Sequence, residues 1–475
     1  MKLCRHEGQS HTHTHTLSLT YHMPPPALPS TAPPPPQPAY VLRGHLTAIH
    51  ALMFLANNEY LLSADASGVC ILWRLSTRRA AAVWTAHTAS ILAVAEWAPQ
   101  DSAGSPSPLS ERRIITHGRD HKIRVWKLPR PQDDIPTTLP VDGGGGGRAP
   151  WMVASLGVNS LNFCGFGMCL LPHRAENGGG DGDDGDGSGG GSGGGRYRDA
   201  MVAVPAVLDS QAIDIFSLPS TRRVHAKISS PPSVNTGMAM ALALRYNALG
   251  VLTLLAGYES GHVVVFRLVP PQTPGGGGGE GGEGVEGGRW EVAYCAQPHS
   301  QPVLSLSVFP DEAVGFVTTS ADSLIVRHPL ATTATTVGDG DGDGDGDGAS
   351  GGIGAQVVDT RHSGLQGVAI RSDGKLFATA GWDRRFRVFS AAQGKEEAGR
   401  IKFKIKEVAV LKWHTEGCYA VAFANLLDRT QGPLGGGEQG SEGLSVEQRR
   451  VQREARRHWL AGGAKDGKIS LWDIF

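Results

Sequence analysis

The sequence predicts an all-β protein, a seven-bladed β-propeller closed by its N-terminal strand. Three observations carry that prediction. A turn-and-strand frame recurs seven times, the two ends of the repeat array complete one another, and low-complexity inserts interrupt the chain only between strands.

The clearest copy of the frame is Lys465-Asp466-Gly467-Lys468-Ile469-Ser470-Leu471-Trp472-Asp473, a tight turn followed by a strand that ends in an aromatic. A small or acidic turn residue stands six positions before a bulky one at Ser67/Trp73, Asp120/Trp126, Ser210/Phe216, Ser260/Phe266, Asp322/His328, Asp383/Phe389 and Asp466/Trp472. The strands within it run apolar, as in Val69-Cys70-Ile71-Leu72-Trp73 and His262-Val263-Val264-Val265-Phe266, the pattern of buried strands. Upstream of most copies a histidine sits in a loop: Gly44-His45, Ala86-His87, His299, His362 and Trp413-His414. Together these residues resemble the WD40 family, whose repeats run from Gly-His to Trp-Asp over roughly 40–45 residues. The resemblance implies a buried network of histidine, strand hydroxyl, turn aspartate and aromatic in each blade. The expected structural tetrads are His87/Asp120/Trp126, His362/Asp383/Phe389 and His414/Asp466/Trp472. The third and fourth copies depart from the pattern, with serine at the turn and no evident histidine upstream.

Closure is the second observation. A blade needs four strands, and a propeller has to pair its free edges. The last repeat stops after its third strand, and the missing fourth is found at the other end as Ala39-Tyr40-Val41-Leu42. Seven units need only about 280–315 residues, so the remainder of the 475 is expected as insertions. These are Asn177 to Gly195, Gly275 to Gly288, Gly338 to Gly352 and Thr430 to Arg457, whose part Val446–Arg457 reads as a short charged helix. All fall between first and second or third and fourth strands, which puts them on one face of the ring. The opposite face keeps short loops and is the expected docking face. The expected domains are therefore a His/Pro-rich disordered tail, 1–38, and a single propeller, 39–475. Within the tail, Met23 is an alternative translational start.

Composition narrows the function. Lys+Arg number 44 against 45 Asp+Glu, a net charge of -1, which gives no sequence-wide reason for nucleic-acid or membrane binding. No apolar run reaches the roughly 18 residues of a membrane span, and Met1 to Thr20 lacks the apolar core of a secretory signal. The cysteines Cys4, Cys70, Cys164, Cys169, Cys295 and Cys418 form no C-x-x-C pair, so neither a zinc site nor a disulfide framework is signalled. Reduced thiols of the nucleus or cytoplasm fit best.

Motifs of catalysis fail one by one. Gly462-x-x-x-x-Gly467-Lys468 approaches a phosphate-binding loop, but Ile469 replaces the Ser/Thr, and a strand follows where a helix is needed. Asp339, Asp341 and Asp343 begin like a calcium loop, but Ser350 stands where the bidentate glutamate belongs. His6-Glu7 has its next histidine at His11, one residue too far for the helical zinc motif, and His11, His13 and His15 read as a solvated tail. There is no G-x-S-x-G elbow. No enzyme, cofactor or metal site is expected. The tetrad pairs are expected to rigidify blades, and Trp73, Trp126 and Trp472 to be core. On the short-loop face Arg43, Trp382, Arg384, Arg385, Lys412 and Trp413 combine arginine with tryptophan, the usual anchors of a protein interface.

Four segments resemble one family more closely, the fungal ASTRA-associated protein 1. They are Pro38-Ala39-Tyr40-Val41-Leu42-Arg43-Gly44-His45, Gly381-Trp382-Asp383-Arg384-Arg385-Phe386-Arg387-Val388-Phe389, Ala409–Ala424, and Gly463 to Trp472. The animal relative it also resembles is the guanine nucleotide-binding protein subunit beta-like protein. The resemblance implies a scaffold in the nuclear ASTRA assembly with a kinase-related pseudokinase, the Tel2–Tti1–Tti2 co-chaperone and Rvb-type ATPases. Chromatin remodelling and maturation of phosphatidylinositol-kinase-related proteins are the implied roles. The alternative is a G-protein-β-like or ubiquitin-ligase adaptor. Residues 1–38 lack the heptads that pair with a γ subunit.

Overall fold

A computed structural model describes residues 36–98, 109–140, 148–160, 163–171, 199–270, 288–330, 355–397, 400–427 and 445–474. The expected tail up to residue 35, the inserts 177–195 and 338–352, and most of those at 275–288 and 430–457 lie outside them. The compact unit runs from Pro36 to Phe475. It contains seven antiparallel four-stranded sheets.

Six blades are built in chain order, and the first is Ile49–Leu55, Tyr60–Asp65, Val69–Arg74 and Arg79–Thr85. Every copy of the turn-and-strand frame lies in the hairpin between a second and a third strand. The seven third strands are Val69–Arg74, Lys122–Lys127, Ile213–Leu218, Val263–Val269, Leu324–His328, Arg385–Glu397 and Lys468–Asp473. The tight turns need glycine at two places in particular. Gly68 and Gly261 have φ of +88° and +85°, and a Cβ on either would lie 2.0 Å from a carbonyl oxygen of the loop that follows the fourth strand, that of His87 or His299.

The seventh blade closes the ring. Cys418–Phe423, Trp459–Ala464 and Lys468–Asp473 are joined by Tyr40–Arg43, which pairs antiparallel with the last strand, Tyr40 opposite Leu471 and Arg43 opposite Lys468. Leu42 of this strand is buried in a core shared with Ile469, Leu471, Ile71 and Trp73.

The core is segmented. Seven apolar clusters are found, and each joins the facing sheets of two neighbouring blades, as Phe386 and Val388 of the sixth blade meet Leu460 and Trp472 of the seventh. Among the described residues no cluster is confined to one blade, so each blade depends on its neighbours for its core. Contact can be intimate, for a Cβ on Gly462 would stand 2.3 Å from the Phe386 ring. Six of the seven first strands, and the segment just before the other at Phe163, Gly165 and Phe166, line a central channel of about 560 Å³, with His50, Leu92, Met240, Leu304, Gln366 and Tyr419 in its wall.

The four long inserts fall where the sequence puts them, after first strands (172–198, 428–444) or after third strands (271–287, 331–354). The charged segment before the last two strands forms the helix Val446–Ala455, two residues shorter at its end than the expected span.

Candidate functional site

Two layers of side chains build the short-loop face: a buried polar layer that fixes each turn, and an exposed layer carried on it.

The buried layer is complete in the second blade. Trp126 Nε1 donates to Thr116 Oγ1 at 2.9 Å, and the hydroxyl is 2.7 Å from His87 Nε2. His87 Nδ1 lies 2.7 Å from Asp120, which also pairs with Arg124 at 3.0 Å. Proton supply is consistent along the chain if the hydroxyl donates to Nε2 and Nδ1–H donates to the carboxylate. Burial pushes the His87 pKa down, and the imidazole is neutral. Burial alone would raise Asp120, but the hydrogen bond from His87, the Thr88 N–H and the Arg124 guanidinium together hold it below its ordinary value.

The other blades reach the same end by different residues. In the first, His45 contacts Asp65 at 2.8 Å and Ser63 at 2.6 Å, and Trp73 donates to Ser63 at 2.8 Å. The acid is therefore Asp65, not a residue at the Ser67 position, and Ser67 instead donates to Asp65. In the seventh, His414 meets Asp466 at 3.1 Å, but the hydroxyl is Ser470 on the third strand, directly across from Gly462. Trp472 donates to that same Ser470 at 2.9 Å. In the fifth, His328 takes the place of tryptophan, 2.8 Å from Thr318, which is 2.8 Å from His299, itself 3.1 Å from Asp322. In the third, Asn159 occupies the histidine position and donates to the Ala206 carbonyl at 2.6 Å and to Ser210 at 3.1 Å.

The sixth blade corrects an expectation. His362 is exposed, and Asp383 is held instead by Arg387 at 2.6 Å and 3.2 Å. The guanidinium, buried on the third strand, supplies two planar donors to one carboxylate and leaves nothing for an imidazole to do. Burial would raise Asp383, but Arg387, with Arg385 and His362, brings it below the usual range. Phe389 has no side-chain N–H to donate, and its ring stacks on Phe377.

The sequence carries one further signal for these networks. The hydroxyl stands ten residues before the aromatic at Ser63/Trp73, Thr116/Trp126 and Thr318/His328. At the seventh blade the same count falls on Gly462, which marks the hydroxyl as displaced.

The exposed layer is concentrated at blades six and seven. The turn Gly381 to Arg385 is fastened by the Asp383–Arg387 pair, by Arg384 N–H to the Gly381 carbonyl and by Trp382 N–H to the Gly364 carbonyl. Trp382 lies against Gly364, donates Nε1–H to Gln366 at 3.0 Å, and is still 42% exposed. Arg385 stands opposite Lys412, and Arg43 opposite Lys468, across adjacent strands. The Lys468 ammonium sits 5.7 Å over the Trp413 ring, whose edge contacts the tetrad imidazole of His414. All six expected docking residues thus lie on the turns, loops or strand ends of one face. Lys465 and Lys468 extend the set, and Arg43, Arg384, Lys412 and Lys465 are exposed. The result is a basic arc bearing two indoles beside the channel that Gln366 and Tyr419 line.

Among the described residues no group of three or more His, Cys, Asp or Glu is placed to hold a metal ion. The described cysteines are free, and burial raises the thiol pKa of each. No described helix is long and apolar enough to cross a membrane.

The family model for ASTRA-associated protein 1 matches residues 38–472. The protein of that name from Aspergillus flavus is 40% identical over 465 residues, covering 94% of this chain and 99% of its own. The Verticillium alfalfae protein is 39% identical over 455 residues, with 94% of each chain covered. That of Schizosaccharomyces pombe is 27% identical over 468 residues, covering 93% and 99%.

Proposed function

Because the chain belongs to the ASTRA-associated protein 1 family, we propose that it is a non-enzymatic scaffold subunit of the ASTRA assembly, docking other subunits through the basic arc of blades six and seven. The observation that carries this reading is Trp382 together with its neighbours. A tryptophan held by hydrogen bonds yet 42% exposed, with Arg384 and Arg385 in the same turn and Lys412 opposite Arg385, is built to be covered by another protein. The tetrads supply the rigidity, since their polar atoms are spent on one another. Every tetrad carboxylate is engaged by an imidazole or guanidinium, and the hydroxyls and imidazoles of these networks are buried, which supports a structural role for them.

The partners are those the resemblance implies: the kinase-related pseudokinase, Tel2–Tti1–Tti2 and the Rvb-type ATPases, in the nucleus and also in the cytoplasm. The biological roles are chromatin remodelling and maturation of phosphatidylinositol-kinase-related proteins. The test is to tag the full chain, purify it from nuclear and cytosolic extracts, and identify the co-purifying proteins by mass spectrometry. Recovery of the pseudokinase with Tel2–Tti1–Tti2 is expected. Recovery of a γ-like subunit or a ubiquitin-ligase core in their place would overturn the reading.

A further inference from the structure

The opposite face carries a second charged surface that the scaffold reading does not use. The helix Val446–Ala455 and the two residues after it place arginine at 449, 450, 453, 456 and 457. Spacings of three, four and seven gather these side chains on the outward side of one helix. Arg449, Arg450, Arg453 and Arg456 are exposed, while Glu454 and Ala455 are buried against the first blade.

The helix is fastened far more firmly than solvation requires. Ser445 and Gln448 form a capping box at its start. At its end Asn58 donates to the carbonyls of Ala455 at 2.9 Å and Asn425 at 2.7 Å, tying the helix to a hairpin of the first blade. Glu454, with a side chain 3% exposed, gathers Arg78 at 3.5 Å, Arg453 at 3.4 Å and Arg457 at 3.7 Å. Arg74 reaches Glu447 at 3.2 Å, and Arg78 lies 5.1 Å over the ring of Tyr40, which is 41% exposed. Arg79 adds one more exposed guanidinium beside Arg74. Eight arginines thus share one surface on which Glu447, Glu454 and Asp473 are paired with them and Glu59 lies beside Tyr60.

We infer that this surface, from Tyr40 and Arg78 to the outer side of the helix, is a second docking site whose occupant is an acidic polypeptide segment of a partner protein. Guanidinium is matched to carboxylate in planar, two-bond geometry, and here it already engages carboxylates of the chain itself. The exposed apolar groups Tyr40 and Val446 suit the side chains of a peptide. A nucleic-acid backbone is disfavoured, because Glu447 and Asp473, with side chains 70% and 50% exposed, interrupt the positive field that a regular row of phosphates needs. The site also spans the closing strand, so its occupant would clamp the ring where the first and last blades meet.

The test uses the purified full chain and fluorescence anisotropy with two probes, a short labelled poly-glutamate peptide and a short labelled DNA duplex. The double variant Arg450→Glu/Arg456→Glu is expected to weaken the peptide about tenfold, a loss of about 1.4 kcal/mol. The variant Arg384→Glu/Arg385→Glu, on the other face, is expected to leave peptide binding within about twofold. Equal peptide affinity for the helix variant and the unaltered chain would overturn the proposal, as would the absence of peptide binding. Tighter binding of the duplex than of the peptide, lost in the helix variant, would replace it with a nucleic-acid site. A change in thermal midpoint would disqualify the helix variant, and Arg79→Glu, outside the helix, then carries the same expectation. None of these outcomes depends on which proteins co-purify with the chain.

Discussion

Thr318 lies between two imidazoles, 2.8 Å from Nε2 of each, and its hydroxyl can donate to one while accepting from the other. A neutral His328 fits this arrangement, its Nε2–H donating to Thr318 and its Nδ1, 3.0 Å from the Tyr294 hydroxyl, accepting from it. Burial, with the charges of His299 and Arg327, pushes its pKa down to about 3. His117 is likewise pushed down to about 3 by burial and by His87. In the unfolded chain both groups titrate near 6.5, so as pH falls the unfolded state takes up protons first. Their contribution is fully present above about pH 6.5 and is lost progressively toward pH 3. Unfolding free energy measured in urea should therefore fall between pH 7 and pH 5, each histidine adding at most about 1.4 kcal/mol per pH unit to the slope. His328→Gln with His117→Gln should flatten that slope, and an unchanged slope would contradict the assignment. A second contrast separates hydroxyls that look alike. Thr116 is bonded to both His87 and Trp126, whereas the buried Thr379 has no hydrogen-bond partner among the described residues. Thr116→Val should cost about 1–3 kcal/mol, and Thr379→Val should be neutral or stabilising, as read from thermal or urea unfolding.

Hairpins and strands were the most legible elements, because the frame from turn to aromatic is local and its spacing does not vary. The closing strand was legible as well, since an unpaired edge at one end demanded a partner at the other. The tetrads were harder to read. The acid in the first blade sits two residues before the turn serine, and the hydroxyl in the seventh has crossed to the facing strand, opposite Gly462. In the sixth, Arg387 displaces the histidine altogether, an exchange that depends on burial and not on spacing. Asn159 was unreadable for the same reason, as its role follows from reaching the Ala206 carbonyl 47 residues away. At this scale the closing strand gives a clean test. A chain beginning at Pro36 keeps every described strand, whereas one beginning at Gly44 loses Tyr40–Arg43, uncovers the last strand and removes Leu42 from its core. The first should unfold cooperatively, and the second should aggregate or melt without a sharp transition. Asn58→Ala, which cuts the bonds to Asn425 and Ala455, should lower stability by about 1–3 kcal/mol.

On the scale of the whole molecule, near-neutrality conceals a division of charge. The inserts 177–195, 275–288 and 338–352 hold twelve Asp or Glu and no Lys or Arg, so with a chain net charge of -1 the remainder carries +11. The ring itself is basic, and its cations gather in two places, the arc of blades six and seven on one face and the arginine helix on the other. Between them the seven shared cores make the ring a single stiff body, the property a scaffold needs if partners on opposite faces are to keep a fixed relation. The central claim is that the short-loop arc is what holds the protein in its assembly. The most direct measurement is quantitative co-purification of tagged Arg384→Glu/Arg385→Glu beside the unaltered chain, with matched thermal midpoints. The account predicts that the variant, though folded, loses the bulk of its co-purifying subunits. Full recovery of those subunits by a folded variant would contradict it.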